Sequence, residues 1–306
     1  MFKKFIKNTF LLSLIIVSTF LVGCNKSAEA TGNEGYPLTI TDSTGQSVTI
    51  DKEPQKVISL SPVITEIVAA VGAEEKLVGR TSFCDYPESV EKIEVIGDLM
   101  TINVEKIIEL KPDIVLGSAF IDDNSKKTLE SAGIKVVTVY SEENLDGAYQ
   151  DIATVGKILN NNAGAEKVVS DMKAKVEEIK ELVASTKNKP KAYYVVAFGA
   201  GGEFTATGDT FINELIEIAG GVNVAADGQN WSYSLEKIIE KNPDMIIYSN
   251  MLLKEELIKS NGYKDLSAVK SGKVYEIDSS LLERTGPRLA EGLEELTKII
   301  HPELFK

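Results

Sequence analysis

Apolar and polar positions alternate from Leu38 to Asp51, on both sides of the turn-forming Asp42-Ser-Thr-Gly45. Period-two alternation about such a turn predicts a β-hairpin. Beyond it the pattern changes. A short apolar run, "KVISLS" (56–61), leads into "PVITEIVAAVGA", which reads as a helix. The alternation continues with "KIEVIG" as a strand, a helix from Val104, the strand "DIVLGS", a helix around Lys126–Ser131, and the strand "KVVTVY". The second half begins again with "KAYYVVAF" (191–198) and a helix near Phe211–Ala219. Then come "VNVAAD", another helix, "DMIIYS", a helix, "KVYEID" (273–278) and a last helix near Arg288–Ile299. Strands alternating with helices predict an α/β fold with parallel sheets.

Between the halves, Ala165, Val169, Met172, Val176, Ile179 and Val183 are spaced alternately four and three apart, which is one face of a helix. Asn188-Lys189-Pro190 supplies the stop. About 22 helical residues span roughly 33 Å, so this segment reads as a rigid strut between two lobes. A repeated phrase also points to two lobes. "NVEKIIELKPDIVLGS" (103–118) and "SLEKIIEKNPDMIIYS" (234–249) share Glu, Lys, Ile, Ile, Glu, Pro, Asp and Ser at an offset of 131 residues. Each copy reads as a helix running into a buried strand. Asn103 and Ser234 are the N-caps, and Glu105 and Glu236 take the second helical position, where the helix dipole favours an acid. Ile107 and Ile108, like Ile238 and Ile239, are expected to face a core, and Pro-Asp ends the helix.

The N-terminus reads as targeting, not fold. Lys3, Lys4 and Lys7 precede an apolar run from Thr9 to Gly23, 15 residues. A spanning helix needs about 20. Leu21-Val22-Gly23-Cys24 resembles a bacterial lipobox, which implies cleavage before Cys24 and a lipid on Cys24. The expected organisation is a signal peptide (1–23), a flexible tether (24–36), an N-terminal lobe (37–160), a bridging helix (161–187) and a C-terminal lobe (188–306). With Cys24 acylated, the other cysteine, Cys84, has no disulfide partner.

Charge and composition narrow the function. The 306 residues carry a formal charge of −13 and only three arginines, Arg80, Arg284 and Arg288. Nucleic acid is thereby excluded as a partner, because its phosphates demand clustered cations. The one histidine, His301, lies close to the C-terminus and is expected at the surface, so no Ser-His-Asp triad can form. "FGAGGEF" (198–204) lacks the third glycine of a dinucleotide fingerprint. No metal cluster or nucleophile–base pair supports a tethered hydrolase, and binding is the reading left, for transport or for adhesion and sensing.

Ligands of open α/β sheets sit outside the carboxyl ends of the strands. Those ends carry Phe83, Asp85 and Tyr86, then Leu99 and Met100, then Phe120. From the second half come Phe198, Trp231, Tyr233 and Arg284. The set suits a large, flat, partly apolar ligand.

"VISLSPVITEIVAAVG", "DYPESVEKIEVIGD", "NVEKIIELKPDIVL", "GGVNVAAD" and "ERTGPRLAEGLEEL" stand in order along the chain. From about Val57 to its end, the chain resembles the substrate-binding proteins of ABC importers for vitamin B12, haem and ferric siderophores. Ser-Pro-x-x-Thr-Glu (61–66), Asp-Tyr-Pro (85–87) and Glu-Arg-x-x-Pro-Arg (283–288) are most similar to the B12-binding members. The resemblance implies two Rossmann-like lobes with parallel-rich sheets joined by one long rigid helix. It implies a monomeric, non-enzymatic receptor with no resident cofactor or metal, lipid-anchored on the extracytoplasmic face of the membrane. Its ligand would be a cobalt corrinoid, or alternatively haem or a ferric siderophore. Its partner would be a permease dimer with a cytoplasmic ATPase, engaged by one Glu per lobe, Glu105 and Glu236. The chain departs from the B12 pattern at Leu99, Asn230 and Leu281, where aromatic residues are expected, and Trp231 is displaced by one.

Overall fold

The computed structural model describes residues 35–118 and 121–305. The signal peptide, Cys24 and Phe120 lie outside the described residues. Tyr36, placed at the end of the expected tether, donates its hydroxyl to the Ile158 carbonyl at 2.7 Å.

The alternating segment forms the hairpin β1 (Leu38–Thr41) and β2 (Ser47–Ile50), paired antiparallel. The first lobe contains β3 (Val57–Ser59), α1 (Pro62–Ala70), β4 (Leu77–Gly79), α2 (Val104–Leu110), β5 (Ile114–Gly117), α3 (Asp123–Ser131), β6 (Lys135–Thr138) and α4 (Leu145–Ile158). Its four strands are parallel in the order β4-β3-β5-β6. The bridge is α5 (Asn162–Ala184), 23 residues long.

The second lobe contains β7 (Lys191–Ala197), β8 (Glu203–Thr205), α6 (Phe211–Ile218), β9 (Val222–Asn223), β10 (Ser232–Tyr233), α7 (Leu235–Lys241), β11 (Met245–Ser249), α8 (Lys254–Lys259), α9 (Ser267–Lys270), β12 (Val274–Ile277), α10 (Ser279–Leu282) and α11 (Leu289–Ile300). Its sheet runs β10-β8-β7-β11-β12, with β9 beside the start of β7. The pairings of β7, β9, β11 and β12 are parallel, and those of β8 and β10 are antiparallel. These are the two parallel-rich lobes and single long helix that the sequence implies.

The bridge buries Ala165, Met172, Val176 and Ile179 against α4 of one lobe and α11 of the other. Lys175 adds an ion pair to Glu294 of α11 at 2.8 Å. One apolar cluster includes residues of both lobes, the hairpin and α5. Burial of that continuous surface, which removes apolar area from water, resists independent motion of the lobes.

The repeated phrase recurs in three dimensions. Asn103 accepts the Lys106 N–H at 3.0 Å, and Ser234 accepts the Lys237 N–H at 3.2 Å. Both helices end in a left-handed residue, Lys111 (φ 50°) and Asn242 (φ 43°). The aspartate after each proline pins the neighbouring strand. Asp113 Oδ2 accepts the N–H groups of Gln55 and Lys56 at 2.9 and 3.0 Å, just before β3. Asp244 Oδ2 accepts the N–H of Lys191 at 2.8 Å, at the start of β7. The phrase therefore sets a helix, a strand and the register of that strand with its neighbour.

Three expectations need correction, and one element lay outside them. Ile107 and Ile238 are buried, but Ile108 and Ile239 are exposed, because a short helix lying on a sheet buries one stripe and not two adjacent positions. "KIEVIG" forms only isolated bridges, Arg80 with Val95 and Gly97 with Ile102. The long helix α4 was not anticipated. His301 is fully buried: its Nδ1 lies 3.0 Å from Glu303 and its Nε2 3.4 Å from the Gly220 carbonyl. Gly220 (φ +81°) makes room for it, since a Cβ there would lie 2.8 Å from that Nε2.

Candidate functional site

Helix α1 begins directly after β3. Pro62 fills its first turn and Ser61 caps it by accepting the Ile64 N–H at 3.3 Å. One turn on, Glu66 points inward and is 2% exposed. A carboxylate buried so deeply requires partners, and the other lobe provides them. The segment after β12 and α10 carries Arg284 and Arg288. Arg288 grips Glu66 through Nε to Oε2 at 2.9 Å and Nη2 to Oε1 at 2.8 Å. Arg284 Nη1 is shared between Glu66 Oε1 and Asp85 Oδ1, each at 2.7 Å. The guanidinium of Arg288 also lies 4.0 Å from the centre of the Tyr86 ring, a cation–π contact.

Two arginines of the second lobe thus meet two carboxylates of the first, outside the carboxyl ends of β3 and β12. The four formal charges cancel. The hydrogen bonds from Arg284 hold the Asp85 carboxyl below the usual carboxylate range, against the opposing effect of burial. For Arg284 and Arg288, burial works against the charge, but the carboxylates outweigh it and raise both above the ordinary value.

Apolar surface flanks this charged junction. Phe83 and Tyr86 are 53% and 44% exposed. Leu99 and the exposed Met100 line a small cavity of about 20 Å³ with Leu60, Ile102, Ser118, Ile121 and Asp122, at the carboxyl ends of β3 and β5. In the second lobe, half-buried Phe198 follows β7 and meets Tyr263 edge-on, with ring centres 5.8 Å apart.

Among the candidate residues, Asp85, Tyr86 and Arg284 come together at one junction. Tyr233 does not join them. It is buried, and its hydroxyl donates to Asp227 at 2.6 Å, with Lys237 and Lys241 over its ring. Trp231 is half-buried with its ring edge-on to Phe211, and Thr207 and Thr205 hold its backbone at φ +59°. Glu66 and Arg288 belong to the same junction and were not among the strand-end candidates. The available signal was a lone acid inside the apolar stretch Ile64-Thr-Glu-Ile67-Val68.

Glu105 and Glu236 take no part in the ion pairs of this junction. Both are exposed at the second position of twin helices. Each helix's own lysines turn away: Lys106 pairs with Glu94, and Lys237 and Lys241 pair with Asp227. Among the described residues neither Glu forms an ion pair, and exposed Ile108 and Ile239 lie one turn further along.

A family model described as periplasmic binding protein matches residues 57–281. The chain belongs to the periplasmic binding protein family. Among relatives, this periplasmic binding protein is 36% identical over 305 residues to the ABC transporter substrate-binding lipoprotein YvrC of Bacillus subtilis, covering 96% of this chain and 97% of the other. It is 29% identical to the vitamin B12-binding protein of Photorhabdus laumondii, covering 89% of this chain and 96% of that one. Among solved structures, the periplasmic haem-binding protein RhuT from Roseiflexus superposes with a TM-score of 0.72 at 26% identity, over 82% of this chain and 99% of that one. Both lobes and the bridging helix of the periplasmic binding protein fold are therefore present.

Proposed function

We propose that this periplasmic binding protein captures a corrinoid of the vitamin B12 class and delivers it to an ABC permease, tethered to the membrane by a lipid on Cys24. The observation that carries the choice of ligand is that both arginines of the cleft junction are already engaged by carboxylates. Haem brings two propionates and catecholate siderophores are multiply anionic, so both call for unspent cations. Arg284 and Arg288 are already matched by Glu66 and Asp85. A corrin edged with neutral amides needs no free guanidinium. Its flat ring can be covered by exposed Phe83 and Tyr86, with Leu99, Met100, Phe120, Phe198 and Trp231 as further candidates. The named ligand of the Photorhabdus relative supports the same reading.

The protein acts by binding and release, without chemistry on its ligand. Glu105 and Glu236 meet basic residues of a two-fold permease, one per lobe, because pseudo-symmetric lobes can offer the same side chain to two equivalent subunits. The likeness to RhuT makes haem the second reading. Calorimetric titration of the mature protein with cyanocobalamin, cobinamide, haem and ferric siderophores separates the two. The corrinoids should bind most tightly, and tighter binding of haem or a ferric chelate would replace the corrinoid reading.

A further inference from the structure

We infer that Glu66 determines which charge class of ligand the cleft accepts, by cancelling the positive charge of the two arginines facing it from the other lobe. That the preferred ligand is a neutral corrinoid rests on the function proposed above; the charge balance at Glu66 is independent of it. Glu66 is 2% exposed, whereas its partner carboxylate Asp85 has a side chain 60% exposed. Among the described residues only Glu66 touches both guanidiniums, through bonds of 2.7, 2.8 and 2.9 Å. Without it, Arg288 keeps the Ser280 hydroxyl at 3.2 Å and the Tyr86 ring, neither of which bears a negative charge. Arg284 would keep Asp85 alone.

The two guanidiniums would then touch one carboxylate, Asp85, with Asp278 reaching Arg288 only through the Ser280 hydroxyl. Because both guanidiniums are largely removed from water, their excess positive charge would be weakly screened. A guanidinium released from a carboxylate offers a planar fork suited to another carboxylate, a catecholate or a phosphate. Glu66 therefore does more than join the lobes. Its charge offsets the attraction that the two guanidiniums would exert on an anionic chelate, and a negative ligand entering the wild-type cleft meets exposed Asp85 with both arginines already engaged. Exclusion of the wrong ligand by like charge is a means of specificity separate from attraction of the right one.

The test compares the wild type with Glu66→Gln, which keeps the shape and removes the charge. Asp85→Asn removes the exposed carboxylate of the same junction without disturbing the buried one, and so remains informative should Glu66→Gln fold poorly. Each protein is titrated calorimetrically with cyanocobalamin and with a ferric tris-catecholate complex, at low and high sodium chloride, after thermal melts confirm folding. Both variants should gain at least tenfold in affinity for the anionic complex relative to cyanocobalamin, and the gain should shrink with salt. Unchanged affinity for the anionic complex in folded variants overturns the inference, as does wild-type binding of that complex as tight as the variants'. If the wild type binds no corrinoid but the variants still gain the anionic complex, the role of Glu66 stands and the corrinoid reading falls.

Discussion

Glu66 and Arg288 lie in different lobes, 222 residues apart in sequence, and are joined by two hydrogen bonds of 2.9 and 2.8 Å. Both side chains are almost entirely removed from water. Breaking such a pair from one side leaves the other charge buried with too few partners, a loss of about 3–5 kcal/mol. Arg288→Ala should fall towards the lower end, because Arg284 still contacts Glu66. Urea denaturation should show a lower midpoint. A midpoint equal to the wild type's would mean that the pair contributes nothing to stability.

The Asp85–Arg284 contact gives the junction a pH dependence. Arg284 lowers the folded-state pKa of Asp85. A carboxylate lowered on folding stabilises the protein fully above its unfolded pKa, about 3.9, and that contribution fades as pH falls through the lower folded value. Asp85→Asn should therefore leave the melting temperature unresponsive to this group between pH 7 and 5, and make the acid limb below about pH 4 shallower than in the wild type. Identical acid limbs in the two proteins would show that the contact is not maintained in solution.

The twin aspartates make a comparison between lobes. Asp113 and Asp244 each accept backbone N–H groups at the start of a neighbouring strand. Hydrogen bonds to a charged acceptor contribute about 1.5–3 kcal/mol. Asp113→Ala and Asp244→Ala should each cost roughly that amount, and because they lie in separate lobes the double variant should be additive to within about 0.5 kcal/mol. Chemical denaturation of the four proteins measures this, and a strongly non-additive result would show that the two strand starts are coupled.

Glu105 and Glu236 yield a prediction about transport. Lysine at either position should leave ligand affinity nearly unchanged but lower uptake in cells, with the double variant worse than either single one. A Lys meets a basic permease surface with like charge. If both residues only favour their helix N-termini, each is worth about 0.3–1 kcal/mol of stability. Uptake by the double Lys variant at the wild-type rate would then remove them from the docking surface.

What the sequence determined by itself is local. The caps Asn103 and Ser234, the hairpin turn at Asp42, the helix over 162–184 and the parallel character of the strands all depend on neighbours within a few residues or on a short period. The repeat also announced two lobes, because the same local code was written twice. The tertiary structure decided what depends on distant partners. Helix α4 is hard to read from sequence because Gly147 and Gly156 weaken its helical signal; a Cβ on Gly147 would lie 1.8 Å from the Glu142 carbonyl in the turn before the helix, and one on Gly156 2.4 Å from the Ala165 methyl at the start of α5, so even these near neighbours act only once the chain is folded. His301 is buried because Gly220, 81 residues away, opens the space for it. Asp227 and Phe211 engage Tyr233 and Trp231, two aromatic residues that their sequence positions suggested for the cleft. Glu66 stands at the junction of the lobes only because folding brings Arg284 and Arg288 to it. A buried charge is tolerated where its counter-charges converge, and their convergence is a property of the packed lobes, with no trace in the spacing of residues along the chain.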